Sequence, residues 1–239
     1  MVDAMINLGT YSRPAKKARN DQSPMPEKTQ DRLYPVVLQL FSVNDFHQVK
    51  MRTISQKSGV SVSNIYKYFS SKEDLLFTVL EERIRAIYEL VELHVQGLQS
   101  GKEIFRKILW VTMDYYDRSP EVAITAFITV PTRTWMQQES YPGIKLKGVF
   151  ANVVSKLRDS GEIDPRIDVR LFQDIYYMIC YRYIYTWHYF GRAWTLVDAI
   201  SQDFDVLWKL LEKPNGSSGI IGASPTVGLS EIDGTNGSD

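Results

Sequence analysis

Thiols and imidazoles are scarce in this chain. It has one cysteine, Cys180, and three histidines, His47, His94 and His188, set far apart. A single thiol excludes an intramolecular disulfide framework and any multi-thiolate metal site; it fits a reducing compartment. Net charge is missing too. The 28 Lys and Arg balance the 28 Asp and Glu, which excludes a protein that coats nucleic acid through bulk positive charge but leaves room for a local basic face. The longest uninterrupted apolar run, Ile175–Tyr181, falls far short of the roughly 20 residues that span a bilayer. The opening residues, MVDAMINLGTYSRPAKKARN, contain no apolar stretch of the kind a secretory signal needs. A soluble, cytoplasmic protein with no membrane partner is expected. Also lacking are G-x-S-x-G, H-E-x-x-H, a P-loop and a glycine-rich dinucleotide fingerprint. No enzymatic activity, cofactor or metal is expected, although scattered carboxylates could still serve acid/base chemistry.

What is present is a long helical body. Apolar residues make up 44% and charged residues 23% of the 239 positions, an ordinary balance for a folded globular chain. Residues 1–27 carry Pro14, Pro24 and Pro26 among Ser, Asn and Asp, with no amphipathic period, and read as a flexible arm. Arg13, Lys16, Lys17 and Arg19 on that arm could enter a minor groove or simply be solvated. Residues 213–239 open on Lys213–Pro214–Asn215–Gly216, continue rich in Gly and Ser, and read as a disordered tail. Between them apolar residues recur at three- and four-residue spacing, as in Leu75, Leu76, Val79, Leu80, Ile84, Ile87 and Leu90. Sustained alternation is missing, and glycine and proline fall between the runs. The expected fold is all-α, with a head over 28–72 and a larger helical domain over 73–212. Charge supports that division. Residues 1–80 hold 11 Lys and Arg against 7 Asp and Glu, a net of +4, and the remaining 159 hold 17 against 21. A basic N-terminal third suits a nucleic-acid-binding head.

The informative stretch is 51–69, MRTISQKSGVSVSNIYKYF. Met51–Ser58 reads as a short helix that Gly59 can end with a positive φ. Val60 plugs the turn. Ser61 is a good N-cap for a second helix, because its hydroxyl can accept a backbone N–H two or three residues on. Ile65 and Phe69, four apart, face inward and leave Ser63, Asn64, Lys67 and Tyr68 largely outward. This is a helix-turn-helix pattern, which an ordinary helical hairpin with solvated polar residues would share. The outer face has chemistry for DNA. Asn64 can pair with an adenine edge. Ser61 and Ser63 offer hydroxyls, Tyr66 and Tyr68 offer flat rings with a phenol, and Lys67, Lys72 and Arg52 offer charge to phosphates. Ser71 caps the long helix that follows, whose N-terminus could sit against a phosphate.

Residues 33–80 closely resemble the DNA-binding head of the TetR (tetracycline repressor) family of bacterial regulators. The landmarks are LQLF in the first helix, Phe46 after a turn, MRTIS followed by SGVS, and IYKYFSSKEDLL. The resemblance implies a homodimer that binds double-stranded DNA at a palindromic operator. It places contacts on Ser61, Ser63, Asn64, Tyr66, Lys67, Tyr68 and Lys72, with Arg52 near phosphate, and it makes repression the default. Three departures stand out: Val62 and Ser63 replace a Lys and a Gly common in the family, Lys50 replaces a hydroxyl N-cap, and Pro35 sits inside the first helix, which should start near it or kink there.

The same resemblance implies that the larger domain holds a small-molecule effector. Trp110, Met113, Tyr116, Phe127, Trp135, Phe150, Tyr177, Tyr181 and Trp187 are the candidates to line an apolar, aromatic pocket; each could equally be plain core. The run DVRLFQDIYYMICYRYIYTWHYFGR carries rings on every side, too apolar for a lone surface helix. With the final helix, expected over 195–212, it would build the family's dimer interface, with Leu171, Ile175, Tyr183, Phe190, Phe204, Leu207 and Leu211 as candidates. Arg182 would neutralise an acidic effector or pair with a core acid, and His188 would be interior. Cys180 would be a buried small apolar residue, or a redox sensor. A helical DNA-binding protein that works without an effector is the alternative.

Overall fold

The structure is a computed structural model and describes residues 24–131, 134 and 147–214. Nine helices without a strand make up these residues: α1 (Glu27–Val43), α2 (Met51–Ser58), α3 (Val62–Tyr68), α4 (Lys72–His94), α5 (Gly101–Arg118), α6 (Pro120–Ile124), α7 (Lys147–Asp159), α8 (Val169–Tyr189) and α9 (Leu196–Trp208). A π-helical turn, Thr125–Thr129, continues α6. The all-α expectation holds. Among the described residues no helix is long and apolar enough to cross a membrane. The basic arm residues Arg13, Lys16, Lys17 and Arg19, and the tail beyond Pro214, lie outside the described residues.

Two boundaries differ from the sequence reading. Met25 is buried and its carbonyl accepts the Gln30 amide at 2.7 Å, so packing begins before residue 28. Pro35 neither starts nor interrupts α1, which runs through it. The ring removes one N–H, but Pro35 and Asp31 lie on the exposed side, where the carbonyl left without a helical partner can bond water.

The head closes over a core of named pieces. Leu33, Val37, Leu40 and Phe41 come from α1, Phe46 and Val49 from the following loop, Ile54 from α2, Val60 from the turn, Ile65 from α3, Phe69 after it, and Leu75, Leu76 and Val79 from α4; all are buried. The Phe41 and Phe46 rings lie 5.6 Å apart. The head meets the larger domain through α1, where the buried Thr125 hydroxyl donates to the Leu38 carbonyl at 3.5 Å, and through the length of α4.

The larger domain is tied by capping carboxylates reaching across helices. Asp117 on α5 accepts the first two N–H groups of α9, from Leu196 at 2.9 Å and Val197 at 3.0 Å. Glu162, between α7 and α8, accepts the Lys102 N–H at 3.1 Å and the Ser100 hydroxyl at 3.2 Å at the start of α5. Each places negative charge on the positive end of a helix.

Candidate nucleic-acid interface

The geometry of α2, turn and α3 follows from local residues. Gly59 has φ +67°, which a side chain would disfavour, and its N–H closes α2 on the Ser55 carbonyl at 2.9 Å. The buried Ser58 hydroxyl accepts the Val60 N–H at 3.2 Å and stiffens the turn. Ser61 caps α3 by accepting the Asn64 N–H at 3.2 Å. Ile65 is fully buried and Phe69 nearly so. Burying an isoleucine on each of α2 and α3 is worth about 1.5–3 kcal/mol per side chain, which is what seats two helices too short to persist alone.

The opposite side of α3 is open. Ser61, Ser63, Tyr66 and Lys67 are exposed, and so is Arg52 on α2. Asn64 and Tyr68 are half-buried, less outward than their spacing suggested, because Tyr68 packs against the head core. Lys72 has protein partners that the sequence reading did not foresee. Its ammonium donates to the carbonyls of Phe46 at 2.9 Å and Val49 at 3.1 Å, and stands 4.6 Å over the Phe46 ring. Two of its three N–H groups are thus bonded to the loop before α2. Ser71 caps α4 as expected, accepting the Asp74 N–H at 3.0 Å. Lys50 at the start of α2 supplies no side-chain cap. The sequence reading missed Arg32 on α1, whose guanidinium donates to the carbonyls of Ser58 at 3.2 Å and Gly59 at 2.9 Å. No local motif announces it, since its partners lie 26 and 27 residues away.

A polar helix face held by a buried underside, in a three-helix head, is the arrangement of a DNA reader. The family model described as bacterial regulatory proteins, tetR family, matches residues 37–79, from the middle of α1 into α4. Residues 37–79 thus match the DNA-binding head of the TetR family. It is similar to the fatty acid metabolism regulator protein of Bacillus subtilis, with 23% identity over 163 residues, 67% of this chain and 84% of that one. It is similar as well to the HTH-type transcriptional repressor NicS of Pseudomonas putida, with 30% identity over 105 residues, covering 44% of this chain and only 47% of NicS. Among solved structures, the transcriptional regulator FadR of Bacillus subtilis in complex with stearoyl-CoA shares the fold, with a TM-score of 0.64 and 19% identity, over 74% of this chain and 96% of FadR. The chain is a DNA-binding regulator.

The larger domain sorts its rings in two directions. Inward lies a cluster contributed by α4, α5, α7 and α8 together with the π turn. Met113, Tyr116, Phe150 and Trp187 are buried, and Phe127 and Tyr177 are half-buried. Tyr88 and Phe150 meet edge to face at 5.2 Å, Phe150 and Tyr176 at 5.4 Å, and Tyr116 and Phe127 at 5.8 Å. Polar tips pair within it: Tyr88 with Tyr177 at 3.1 Å and Thr112 with Tyr176 at 2.9 Å. Burial raises the pKa of Tyr88, Tyr116 and Tyr176, so these phenols are neutral hydrogen-bonding groups. Two expected lining residues are not inside. Trp110 is exposed with the Lys107 ammonium 5.2 Å from its ring, and Tyr181 is 51% exposed. Both fall on the outward side of helices whose inner positions are already filled. Trp135 lies outside the described residues.

The outward set on α8 revises the candidate dimer face. Phe204 and Leu211 are buried core, Ile175 is buried, and Leu171, Tyr183 and Leu207 are half-buried. Phe204 is covered by Phe105 at 6.0 Å and by the Arg106 guanidinium at 4.4 Å. Of the candidates only Phe190 is largely exposed, at 57%. The exposed apolar side chains are instead Met178, Tyr181, Tyr185 and Tyr189, with Val206 and Leu210 from the α9 end. On α8 they recur every three or four residues, and the three tyrosines stack at 6.0 and 6.5 Å. Arg182 is exposed rather than amid core rings, and His188 is half-buried. Cys180 is fully buried, its thiol pushed up to about 12 by burial; that is a packing residue, not a sensor thiol.

Proposed function

We propose that this chain is a repressor that binds a palindromic operator as a homodimer and leaves it when a small apolar or aromatic molecule enters the larger domain. The observation that carries the DNA half is the two-sidedness of α3: Ile65 sits in the core while Ser63, Tyr66 and Lys67 stand clear of it. Two such heads would read half-sites about one helical turn apart. The dimer reading rests on the tyrosine-rich outer side of α8, a contiguous apolar strip of the kind that marks an interface. The effector reading rests on the ring-walled interior with neutral phenol tips and on the π turn, which touches α1 through Thr125 and so links that interior to the head. An effector acts by binding the DNA-incompetent arrangement more tightly than the competent one. The FadR fold neighbour was solved with stearoyl-CoA, which makes a long-chain acyl-CoA the first probe.

The test has two stages. Full-length protein is used to select duplexes from a random pool, and binding is followed by band shift. A palindrome should emerge whose affinity falls steeply with salt yet far exceeds that of random duplex. Stearoyl-CoA and a panel of apolar aromatics are then titrated into the complex. Selection of no preferred sequence refutes the regulator reading at its DNA end. A selected palindrome that no compound releases supports a DNA-binding protein that acts without an effector.

A further inference from the structure

Helix α2 is gripped at both ends by cations that belong to other helices. At its N-terminal side the Lys72 ammonium, from α4, takes the Phe46 and Val49 carbonyls and covers the Phe46 ring. At its C-terminal side the Arg32 guanidinium, from α1, takes the Ser58 and Gly59 carbonyls. The fit there is close: a Cβ built on Gly59 would stand 2.5 Å from Arg32 Nη2. The carbonyls at the end of a helix carry its negative pole, so a guanidinium there is favourably placed in charge as well as in hydrogen bonding. The α2 termini set where the turn begins, and the turn sets where Ser61 starts α3. We propose that Arg32 and Lys72 are positioning residues for DNA reading: a two-ended clamp that fixes the register of α3 against the head through bonds to protein carbonyls.

A phosphate-binding cation and a clamp differ in what DNA binding measures. A phosphate contact adds affinity to every duplex and contributes about 0.9 to the slope of log K against log salt. A clamp contributes to the placement of base-reading groups, so its loss falls on the specific site. Charge-keeping substitutions separate the two sharply. Arginine at position 72 would still serve a phosphate, but its planar fork does not reproduce an ammonium centred between two carbonyls and a ring. Lysine at position 32 keeps the charge but ends one atom short of Nη2, the single nitrogen that reaches both carbonyls.

The experiment compares Arg32→Lys, Arg32→Gln, Lys72→Arg and Lys72→Gln in the full-length chain. Each is measured on the palindrome selected by the unsubstituted protein and on a random-sequence duplex of the same length, across a salt series. All four should lose about tenfold on the palindrome, the scale of one charge-assisted hydrogen bond. Affinity for the random duplex and the salt slope should hold. The clamp is overturned if the charge-keeping variants bind the palindrome normally, or if the neutral variants lose affinity on both duplexes with the slope smaller by about 0.9. Melting and helical content are recorded for each protein. Should the Gln variants not fold, the Lys and Arg variants decide the matter alone. Failure of the unsubstituted protein to select any palindrome would refute the operator reading instead, and backbone hydrogen exchange across 58–64 then tests the clamp. Faster exchange in the charge-keeping variants supports it, and unchanged exchange overturns it.

Discussion

Replacing Tyr189 by glutamate should split the proposed dimer without unfolding the protomer. Tyr189 is 72% exposed at the C-terminal end of α8, stacked on Tyr185 and in edge contact with Phe190 at 5.0 Å. A tyrosine offers on the order of 200 Å², so full cover of its exposed part would remove roughly 150 Å² of surface per copy. At ~25 cal/mol/Å² that is about 3–4 kcal/mol. Incomplete cover and desolvation of the phenol reduce it to about half. A two-fold interface uses the residue twice, which restores a total of about 3 kcal/mol, a hundredfold or more in Kd. Glutamate adds an unpaired charge to the strip. Sedimentation equilibrium should show the unsubstituted chain dimeric at low micromolar concentration and Tyr189→Glu largely monomeric, with helical content and melting nearly unchanged. Phe204→Ala is the contrast. Its ring is buried under Phe105 and Arg106, so it should cost about 3–5 kcal/mol of folding stability and unfold or soften the protomer. A Tyr189→Glu protein that is folded and as dimeric as its parent would refute the assignment of this side of α8 as the interface.

Other outcomes follow from single contacts. Lys67→Gln should weaken binding to all duplexes alike and lower the salt slope by about 0.9, as read from band shifts at several salt concentrations. Asp117→Asn keeps the shape of the α9 cap but halves its acceptors and removes its charge; a loss of about 1.5–3 kcal/mol in urea unfolding is expected, and an unchanged midpoint would show the cap to be idle. Asp164 is held down at about 2 from its ordinary 3.8, chiefly by the hydrogen bond from Arg166. Its contribution is therefore present above pH 3.8 and lost as pH falls towards 2; Arg166→Gln should flatten that acid limb of the stability curve by lowering the neutral region, with the two proteins converging near pH 2. Cys180, with its thiol near 12, should react with a disulfide reagent at pH 8 only as fast as the protein opens, and rapid labelling of native protein would contradict its burial.

The helix-turn-helix could be read from the sequence because its determinants are local. A cap bonds three residues along, Gly59 needs only its own φ, and Ile65 and Phe69 share a helix face by spacing alone. Val60, Ile65 and Phe69 are accordingly buried as expected. The larger domain resisted the same method. On α8 apolar side chains occupy both faces, so helical periodicity carries no sign to say which rings are inside. Neighbouring helices decided it by covering Phe172, Tyr176 and Cys180 and leaving Tyr181, Tyr185 and Tyr189 bare.

Sequence by itself thus determined that the chain is helical and where α2 and α3 start and stop, since hydrogen bonds and packing within one or two turns suffice for that. Tertiary structure alone decided which carbonyls the cations reach and which aromatics are left exposed. Lys72 and Arg32 find carbonyls 23 to 27 residues away, and an ammonium destined for a phosphate is written in the same letters as one that closes a loop.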